Sequence, residues 1–345
     1  MWNYNLNIGE KISTQNNFMN QKQIIFLIDD ENDNQRLDKA ITDFLKDFSR
    51  TTIKNWIQTG RVLVDNERAE PKNKVHKGQK IEVTPIIEDR HEAIPEKIDF
   101  TVLFEDQDML IVEKPSGLVV HPGHGNPKGT LQNGLLYYLP DLKHLPRAGL
   151  IHRLDKNTSG LLIVAKTNRA YTTMVAKLEQ RNIMREYRAI CVGAMTSGAT
   201  IEASIARDPR NRIKFSTAEN GKRAVTNYRI LKKFDHHTYI GLRLETGRTH
   251  QIRVHMSHIK YPILGDSLYG NRLMIPSGAS DYLKSALRQL KRQALHASKL
   301  TFVHPFTKEK VSIDSEIPED MFTILSELSG SNLTREEVNS LEYPE

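Results

Sequence analysis

The segment IHRLDKNTSG at residues 151–160 continues directly into the apolar segment LLIVAK at residues 161–166. The length and composition of the second segment are typical of a short buried strand, so Asp155 is predicted to lie on a loop at the mouth of that strand. A loop held by a buried strand can present a reactive side chain that is both exposed and rigid. The same aspartate could instead hydrogen-bond its own backbone in a turn, and the segment alone leaves both roles open.

The composition bounds the kind of protein that this chain can form. It has 345 residues, of which 38% are hydrophobic and 26% charged, and this length is sufficient for two domains. No apolar run approaches the ~18–20 residues needed to cross a bilayer, and residues 1–20 lack the apolar centre of a secretion signal. The single cysteine, Cys191, excludes an intrachain disulfide and has the apolar neighbours of a buried residue. We therefore expect a cytoplasmic protein with no membrane partner.

The charge distribution indicates the kind of partner. The formal net charge of +7 favours a polyanion. Lysine and arginine recur in residues 50–80, 207–223 and 284–292, and these basic stretches are separated by segments that have the pattern of folded structure.

Apolar spacing divides the chain into segments. The N-terminal part is predicted to contain two helices that each bury one face, followed by two short strands. In the larger part, strand-rich stretches do not alternate regularly with helices, which favours an α+β fold over a doubly wound one. The predicted boundaries are 1–22 for an unstructured tail, 23–84 for the small α+β unit, 85–97 for a linker, 98–328 for the large domain and 329–345 for an acidic tail. The helical positions are Leu37, Ile41, Phe44 and Leu45 in the first helix, and Ser49 as N-cap, Ile53, Trp56, Ile57 and the terminal Gly60 in the second.

Two sets of motifs point to known families. The large domain contains, in order, KPSGLVVHP at 114–122, HRLD at 152–155 with TSG at 158–160, REY at 185–187, ETGRTHQIRVHM at 245–256 and YPILGD at 261–266. This set resembles the signature of the RluA-type pseudouridine synthases. The small unit contains RLD at 36–38, Ser49-Arg50, Ile57, Gly60, VLV at 62–64 and Gly78, and is similar to the S4 RNA-binding domain.

The resemblance implies an RNA pseudouridine synthase that isomerises uridines of large-subunit (23S) ribosomal RNA, as free RNA or in a pre-ribosomal particle. It implies the pseudouridine synthase fold, with a mixed and largely antiparallel sheet, preceded by a small S4-like α+β module. It also implies activity without a cofactor or metal, and we expect a monomer. The alternative from a different class is a non-catalytic S4-type RNA-binding protein.

The same resemblance assigns catalytic roles to three residues. Asp155 would be the nucleophile, because a carboxylate can hold a sugar carbon as it does in a retaining glycosidase. A partly buried carboxylate needs a neighbouring cation to stay ionised, and the resemblance makes Arg253 that cation. The spacing over residues 251–256 fits a helix and a strand nearly equally well. Tyr187 would stack on the flipped base or help to remove the proton at the new carbon link, although an aromatic residue in a strand is often simple core.

Further residues are candidates for contacts with the RNA. Arg153 would occupy the place that the flipped base leaves, because a planar cation can offset part of the unstacking cost. Cations on the second helix of the S4-like unit and at its exit could neutralise phosphates, or could form an ordinary solvated face. The remaining candidates are His152, Leu264, Lys114 and His121 for substrate binding, and Arg50, Lys54 and Arg61 for phosphate contacts.

A metal-dependent hydrolase is a second alternative, because the chain has several histidines near its motifs. Their spacing matches no zinc pattern, and no acid stands where a metallohydrolase needs its general base. We therefore predict no metal site. The histidines concerned are His250, His255 and His258, with His121, His124 and His152 elsewhere in the chain.

Overall fold

The computed structural model describes residues 13–17, 21–45, 48, 50–85, 93–123, 125–211, 213–270 and 273–344. The chain divides into two compact units, Met1–Glu92 and Ala93–Glu345, and each has its own buried hydrophobic cluster. We call them the N-terminal unit and the C-terminal unit. None of the helices within the described ranges is long and apolar enough to cross a membrane.

The N-terminal unit combines two helices with a five-stranded antiparallel sheet in the order β1-β2-β5-β3-β4. Its cluster buries Leu37, Ile41, Ile53, Trp56 and Ile57, as the helical spacing predicts. The predicted N-cap at residue 49 lies outside the described residues. The elements are β1 Ser13–Asn17, β2 Gln21–Leu27, α1 Leu37–Phe44, α2 Arg50–Gln58, β3 Val62–Val64, β4 Glu67–Arg68 and β5 Lys80–Val83.

The prediction of an unstructured tail over residues 1–22 differs from the structure. Strand β1 pairs antiparallel with β2, from Ser13 opposite Ile25 to Asn17 opposite Gln21. A segment rich in asparagine and glutamine has few apolar groups to bury, but its backbone can still pair with the edge of a sheet. Residues 1–12 and 18–20 lie outside the described part of the chain.

The C-terminal unit is built on a mixed sheet in the order β10-β13-β14-β9-β15-β8-β7-β6, with β16 also paired to β15. Only the pairing of β15 with β8 is parallel among these described strands, so the predicted α+β fold with a mixed, largely antiparallel sheet is confirmed. A separate hairpin joins β11 to β12. The strands are β6 Thr101–Glu105, β7 Met109–Lys114, β8 Ser159–Ala165, β9 Ile183–Val192, β10 Ala199–Glu202, β11 Ile205–Arg207, β12 Phe215–Thr217, β13 Val225–Lys233, β14 His237–Leu244, β15 Leu295–Val303 and β16 Lys310–Asp314.

Six described α-helices accompany this sheet. The segment that fitted a helix and a strand equally well is helix α5, and it buries Ile252 and Met256 together on the hydrophobic cluster. Cys191, predicted to be buried, lies on the central strand β9 with no exposed surface. The helices are α3 Leu131–Tyr138, α4 Asn168–Glu179, α5 Gln251–His258, α6 Asp281–Gln289, α7 Glu319–Leu328 and α8 Arg335–Ser340, with short 3-10 turns at Pro140–His144 and Pro146–Gly149.

Two predicted peripheral segments are docked on the C-terminal unit. Within the predicted linker 85–97, the carbonyl of Ile94 accepts a hydrogen bond of 2.8 Å from the Asn133 amide, while residues 86–92 lie outside the described part. In the predicted acidic tail, Val338 and Tyr343 are buried. The Leu341 carbonyl in the same tail accepts a hydrogen bond of 2.7 Å from Arg188. Acidic composition therefore did not prevent order, because the few apolar side chains in this tail bury against the core.

Gly160 lies where the Asp155 loop enters β8, and both its backbone conformation and a close backbone neighbour favour glycine at this position. Gly160 has φ +111°, and a Cβ at this position would lie 2.2 Å from the carbonyl oxygen of Ala297 on β15. A side chain here would separate the parallel strands β8 and β15. The glycine thus anchors the loop directly over the centre of the sheet.

Candidate active site

Asp155 lies in a cavity of ≈ 500 Å³ in the C-terminal unit. The wall is formed by the 151–158 loop, by β9, by the 245–250 loop and by the start of α5. The three residues predicted to be catalytic, Asp155, Tyr187 and Arg253, all line this cavity, together with Arg153 and His152. The fold therefore brings together residues that are far apart in the sequence.

The carboxylate of Asp155 points away from its own turn. Its Oδ2 accepts a hydrogen bond of 2.9 Å from Nη1 of Arg253, and its side chain is 18% exposed. The backbone carbonyl of Asp155, rather than the carboxylate, accepts the turn hydrogen bond from the Thr158 N–H. The two roles left open by the sequence are thus divided between the main chain and the side chain of one residue.

Arg253 is fixed between two carboxylates. Its Nε and Nη2 donate to the two oxygens of Asp266 at 2.7 and 2.9 Å, and its guanidinium lies 5.0 Å from the centre of the Tyr269 ring. Burial alone would lower the pKa of Arg253, but the two carboxylates raise it further above its ordinary value. Burial would likewise raise the pKa of Asp266, and the Arg253 hydrogen bonds outweigh this effect and lower it. Both side chains of this pair therefore remain charged.

Asp266 and Tyr269 have no role in the sequence analysis. Asp266 ends the YPILGD motif, so a signal for it was present in the sequence, whereas nothing marked Tyr269. Besides the guanidinium, Asp266 accepts hydrogen bonds from the backbone N–H groups of Leu268 and Tyr269. These bonds hold the arginine and the tyrosine in one rigid arrangement beside Asp155.

A hydrogen-bond chain ends at His250, close to the second oxygen of Asp155. The Tyr269 hydroxyl accepts from the Phe215 N–H at 2.8 Å and lies 2.8 Å from Nδ1 of His250. Donation from this hydroxyl to Nδ1 places the His250 proton on Nε2, which is 3.9 Å from Oδ1 of Asp155. Burial lowers the pKa of His250, so the ring is neutral near pH 7. A neutral N–H therefore faces the oxygen that Arg253 leaves free.

Tyr187 belongs both to the core and to the cavity. It lies on β9, is 5% exposed and packs in the main hydrophobic cluster, while it also lines the cavity. Burial raises the pKa of its hydroxyl, nearby Arg185 opposes this shift, and Asp155 reinforces it. The free protein therefore holds a protonated phenol beside the carboxylate.

His152 and Arg153 of the HRLD motif differ in their contacts. Arg153 is exposed and makes no hydrogen bond or ion pair within the described parts of the chain, so its guanidinium is available to a ligand. Nε2 of His152 accepts a hydrogen bond of 3.1 Å from the Ile163 N–H, and burial lowers the pKa of this histidine to about 3. His152 is thus a neutral acceptor that ties the loop to β8.

Three residues predicted to bind substrate lie outside the cavity wall. Lys114 is fully buried, its ammonium group donates to three backbone carbonyls at 2.8 to 3.0 Å, and burial lowers its pKa to about 7. Leu264 is buried in the core. His121 is half-buried, with Nδ1 3.3 Å from the Gln132 side-chain oxygen. Lys114 and Leu264 support the fold here, which their motif positions did not reveal because burial depends on the packed sheet.

The predicted RNA-contacting residues of the N-terminal unit are placed by α2. Arg50 and Lys54 are four residues apart and therefore lie on one helix face. Arg50 and Arg36 both bond the carboxylate of Asp38, which is buried, while the two guanidinium groups are half-exposed. Lys54 is exposed, and Arg61 is half-buried just after the helix. These side chains form a cationic surface on the unit.

The histidines considered as metal ligands in the hydrolase alternative make separate hydrogen bonds. His255 uses Nδ1 with the Thr226 hydroxyl and Nε2 with the Ala203 carbonyl, each at 2.9 Å. Nδ1 of His258 lies 3.1 Å from the Thr217 hydroxyl. Among the described residues, which exclude residue 124, no cluster of three potential ligands could hold a metal ion.

Comparisons with known proteins match both units. The RNA pseudouridylate synthase family matches residues 108–258, and the S4 domain family matches residues 35–81. Ribosomal large subunit pseudouridine synthase D of Xanthomonas campestris pv. campestris is 47% identical over 294 residues, which cover 85% of this chain and 89% of that protein. The protein of the same name from Escherichia coli K12 is 47% identical over 292 residues, covering 84% and 90%. Among solved structures, human RNA Pseudouridylate Synthase Domain Containing 4 is 27% identical with a TM-score of 0.52, covering 66% of this chain and 92% of that one.

Proposed function

This chain belongs to the RNA pseudouridylate synthase family, and we propose that it modifies uridines of large-subunit ribosomal RNA, with Asp155 as its nucleophile. The enzyme is a pseudouridine synthase with an S4 RNA-binding domain. The choice of ribosomal RNA rests on the names of its relatives. The observation that supports the catalytic assignment is the Asp155 carboxylate in the cavity, held at 2.9 Å by Arg253.

The reaction breaks the bond between N1 of uracil and C1′ of ribose and joins C5 of the same base to C1′. The proton on C5 is lost, and N1 gains one, so no atom is consumed overall. Asp155 can hold C1′ while the base turns, as the carboxylate of a retaining glycosidase holds its sugar. Because Arg253 holds Oδ2, the Oδ1 oxygen is the one we assign to this contact.

Tyr187 and Arg153 have complementary tasks in this proposal. Tyr187 offers a ring on which the extruded base can stack and a hydroxyl near the carboxylate that can take part in proton removal from C5. Arg153 is exposed at the rim and would fill the gap left by the base. Arg253, supported by Asp266, keeps the nucleophile oriented.

The N-terminal unit would supply phosphate contacts and register through Arg50, Lys54 and Arg61. We propose that the enzyme acts as a monomer, without a metal or cofactor. Isomerisation of a transcript of large-subunit RNA by the purified protein in excess chelator tests this directly, and sedimentation of the same sample gives its oligomeric state. Comparing free RNA with isolated subunits and precursor particles identifies the form of the substrate.

The cellular test is to map pseudouridine in ribosomal RNA from a strain that lacks this protein. We expect specific sites in the large-subunit RNA to remain uridine, and to regain pseudouridine with the wild-type chain but not with Asp155→Asn. Unchanged sites throughout that RNA would refute the substrate. Restoration by Asp155→Asn would favour the alternative of a non-catalytic RNA-binding protein.

A further inference from the structure

Arg185 is a buried arginine whose charge has no partner. It is 6% exposed, lines the cavity and makes one long hydrogen bond, 3.4 Å from Nη2 to the Leu244 carbonyl. Its Nε is buried without any hydrogen-bond partner. Within the ranges that the structure describes, no carboxylate lies within ion-pair distance of it. A guanidinium in this state carries a desolvation cost that no ion pair offsets.

The other arginines that line the cavity are either bonded or exposed, and Arg147 is one of the exposed ones. Arg253 bonds two carboxylates, and Arg181 bonds Glu245 at 2.8 Å. Arg248 donates to the Arg223 carbonyl at 3.2 Å. Arg153 is unpaired but exposed, so water satisfies it. Arg185 alone among these described side chains is both buried and without a counter-charge, so a ligand of the cavity is its natural partner.

The surroundings of Arg185 keep space for its guanidinium. Gly247 lies opposite, and a Cβ at that position would come within 3.0 Å of Nη1 of Arg185. A side chain at residue 247 would therefore require the guanidinium to shift by a few tenths of an ångström. Arg185 and the 245–250 loop that carries this glycine both line the cavity, so a ligand in the cavity can reach the guanidinium.

The position of Arg185 relates it to the reacting nucleotide. Arg185 and Tyr187 are two residues apart on β9, so their side chains share one face and are separated by roughly 6.6 Å of strand rise. Tyr187 lines the same cavity as Asp155, which in the proposed function holds the reacting sugar. The distance between these two positions is one that a single nucleotide spans from its sugar to an adjacent phosphate.

We propose that Arg185 binds the phosphate group adjacent to the target uridine, and this assignment rests on the proposed function. A phosphate supplies the negative charge that the buried guanidinium lacks and matches its fork of two parallel donors. A carbonyl of uracil would satisfy hydrogen bonds but leave the charge uncompensated. Arg185 would thereby hold the backbone while the base turns between cleavage and rejoining.

The test couples a variant to a change in the RNA. Synthetic RNAs carrying the mapped uridine are prepared with a neutral methylphosphonate at the 5′ linkage, at the 3′ linkage or at a distant linkage. For the wild-type enzyme, we expect one adjacent replacement to weaken binding by about 10- to 100-fold. Arg185→Met should bind natural RNA more weakly than the wild type by a similar factor. Its affinity for the RNA with that modified linkage should be no lower than its affinity for natural RNA. Arg181→Met is the matched control. In this variant, the loss of affinity from the mutation and the loss from the same methylphosphonate replacement should add.

Several outcomes separate this proposal from the function on which it rests. The phosphate contact would be refuted if Arg185→Met bound natural RNA as tightly as the wild type does. It would also be refuted if the mutation and the replacement caused additive losses of affinity at both adjacent linkages. Neither outcome would contradict the proposed synthase function. A wild-type enzyme that isomerises none of the RNAs would instead overturn the proposed function.

Thermal stability shows whether a loss of binding by Arg185→Met could come from misfolding. Because Arg185→Met removes an unpaired buried charge, its Tm without RNA should equal or exceed that of the wild type. If the variant does not fold, Arg185→Lys serves in its place. This variant loses the fork of two parallel donors, so it should bind natural RNA more weakly and show a smaller loss of affinity at the same modified linkage. An undiminished loss at that linkage would refute the contact.

Discussion

Two charge clusters of this molecule have opposite compositions. In the N-terminal unit, one buried carboxylate, Asp38, bonds two arginines, Arg36 and Arg50, whose side chains are each 52% exposed. In the C-terminal unit, one buried arginine, Arg253, bonds two carboxylates, Asp266 and Asp155. The first cluster leaves a positive charge on the surface, and the second leaves a negative charge in a cavity.

The difference shows how similar ion pairs can serve opposite purposes. A surplus guanidinium at the surface can exchange water for RNA phosphates at little cost, so it suits affinity. A surplus carboxylate held by a fixed arginine keeps one oxygen free in the cavity, so it suits nucleophilic chemistry. The comparison predicts that changes in the cluster of Asp155, Arg253 and Asp266 affect the rate of isomerisation, whereas changes in the N-terminal unit affect binding.

The largest effect is expected from Asp155→Asn, which removes the surplus carboxylate and keeps its shape. Turnover should fall by about 10⁴-fold or more, because the nucleophile is lost, while RNA affinity persists through the many phosphate contacts. Single-turnover assays and filter binding measure the two quantities. Appreciable turnover by this variant would show that another residue attacks.

Tyr187→Phe should have the next largest effect. The variant keeps the ring for stacking and loses the hydroxyl, so the rate should fall by about 10²- to 10⁴-fold if proton removal needs that group. Chemical quenching should then reveal RNA in which the glycosidic bond is broken and not yet rejoined. Tyr187→Ala is the control for stacking. A near-normal rate in Tyr187→Phe with loss only in Tyr187→Ala would limit the role of Tyr187 to stacking.

Asp266→Asn should have a smaller effect on rate and a distinct effect on stability. Arg253 would keep Asp155 but lose its bidentate partner, so we expect a rate loss of about 10- to 100-fold through misplacement of the nucleophile.

The acid stability of this variant follows from the pKa of Asp266. Arg253 lowers that pKa below 3.8, so this carboxylate stabilises the wild type above pH ~4, and the contribution is lost as the pH falls through the lowered value. Urea unfolding between pH 2 and 6 should therefore show a shallower loss of stability in Asp266→Asn. Identical profiles for both proteins would contradict the assigned ion pair.

The smallest effect on rate is expected from the N-terminal unit. The C-terminal unit has its own hydrophobic cluster, so deletion of residues 1–92 should leave it folded and active at saturating RNA. Binding should weaken, and the dependence of log K on log salt should become shallower by about 2 units if Arg50, Lys54 and Arg61 each contact a phosphate. The full-length triple alanine variant is the matched control. An unchanged slope would mean that these cations do not touch RNA, and a folded but inactive truncation would mean that the N-terminal unit helps to build the site.

Much of the local structure could be predicted from the sequence. Apolar spacing predicted both helices of the N-terminal unit, and the HRLD and REY motifs identified Asp155 and Tyr187 as cavity residues. Spacing could not decide between helix and strand over 251–256, because a short apolar run satisfies both patterns. Composition did not reveal the strand at 13–17 or the buried side chains within 329–345, because strand pairing and side-chain burial depend on a partner surface.

Residue types and near-neighbour spacing were sufficient to identify the family and the candidate residues for the chemistry. The partners of these residues depend on the tertiary structure. Asp155 and Arg253 are 98 residues apart in the chain and meet through the packing of the sheet against α5. Elsewhere in the C-terminal unit, the fold buries Lys114 against three carbonyls, and among the described residues it leaves Arg185 without a counter-charge. Whether a charged side chain is a ligand site or a support depends on which groups surround it in three dimensions, and no local pattern encodes that.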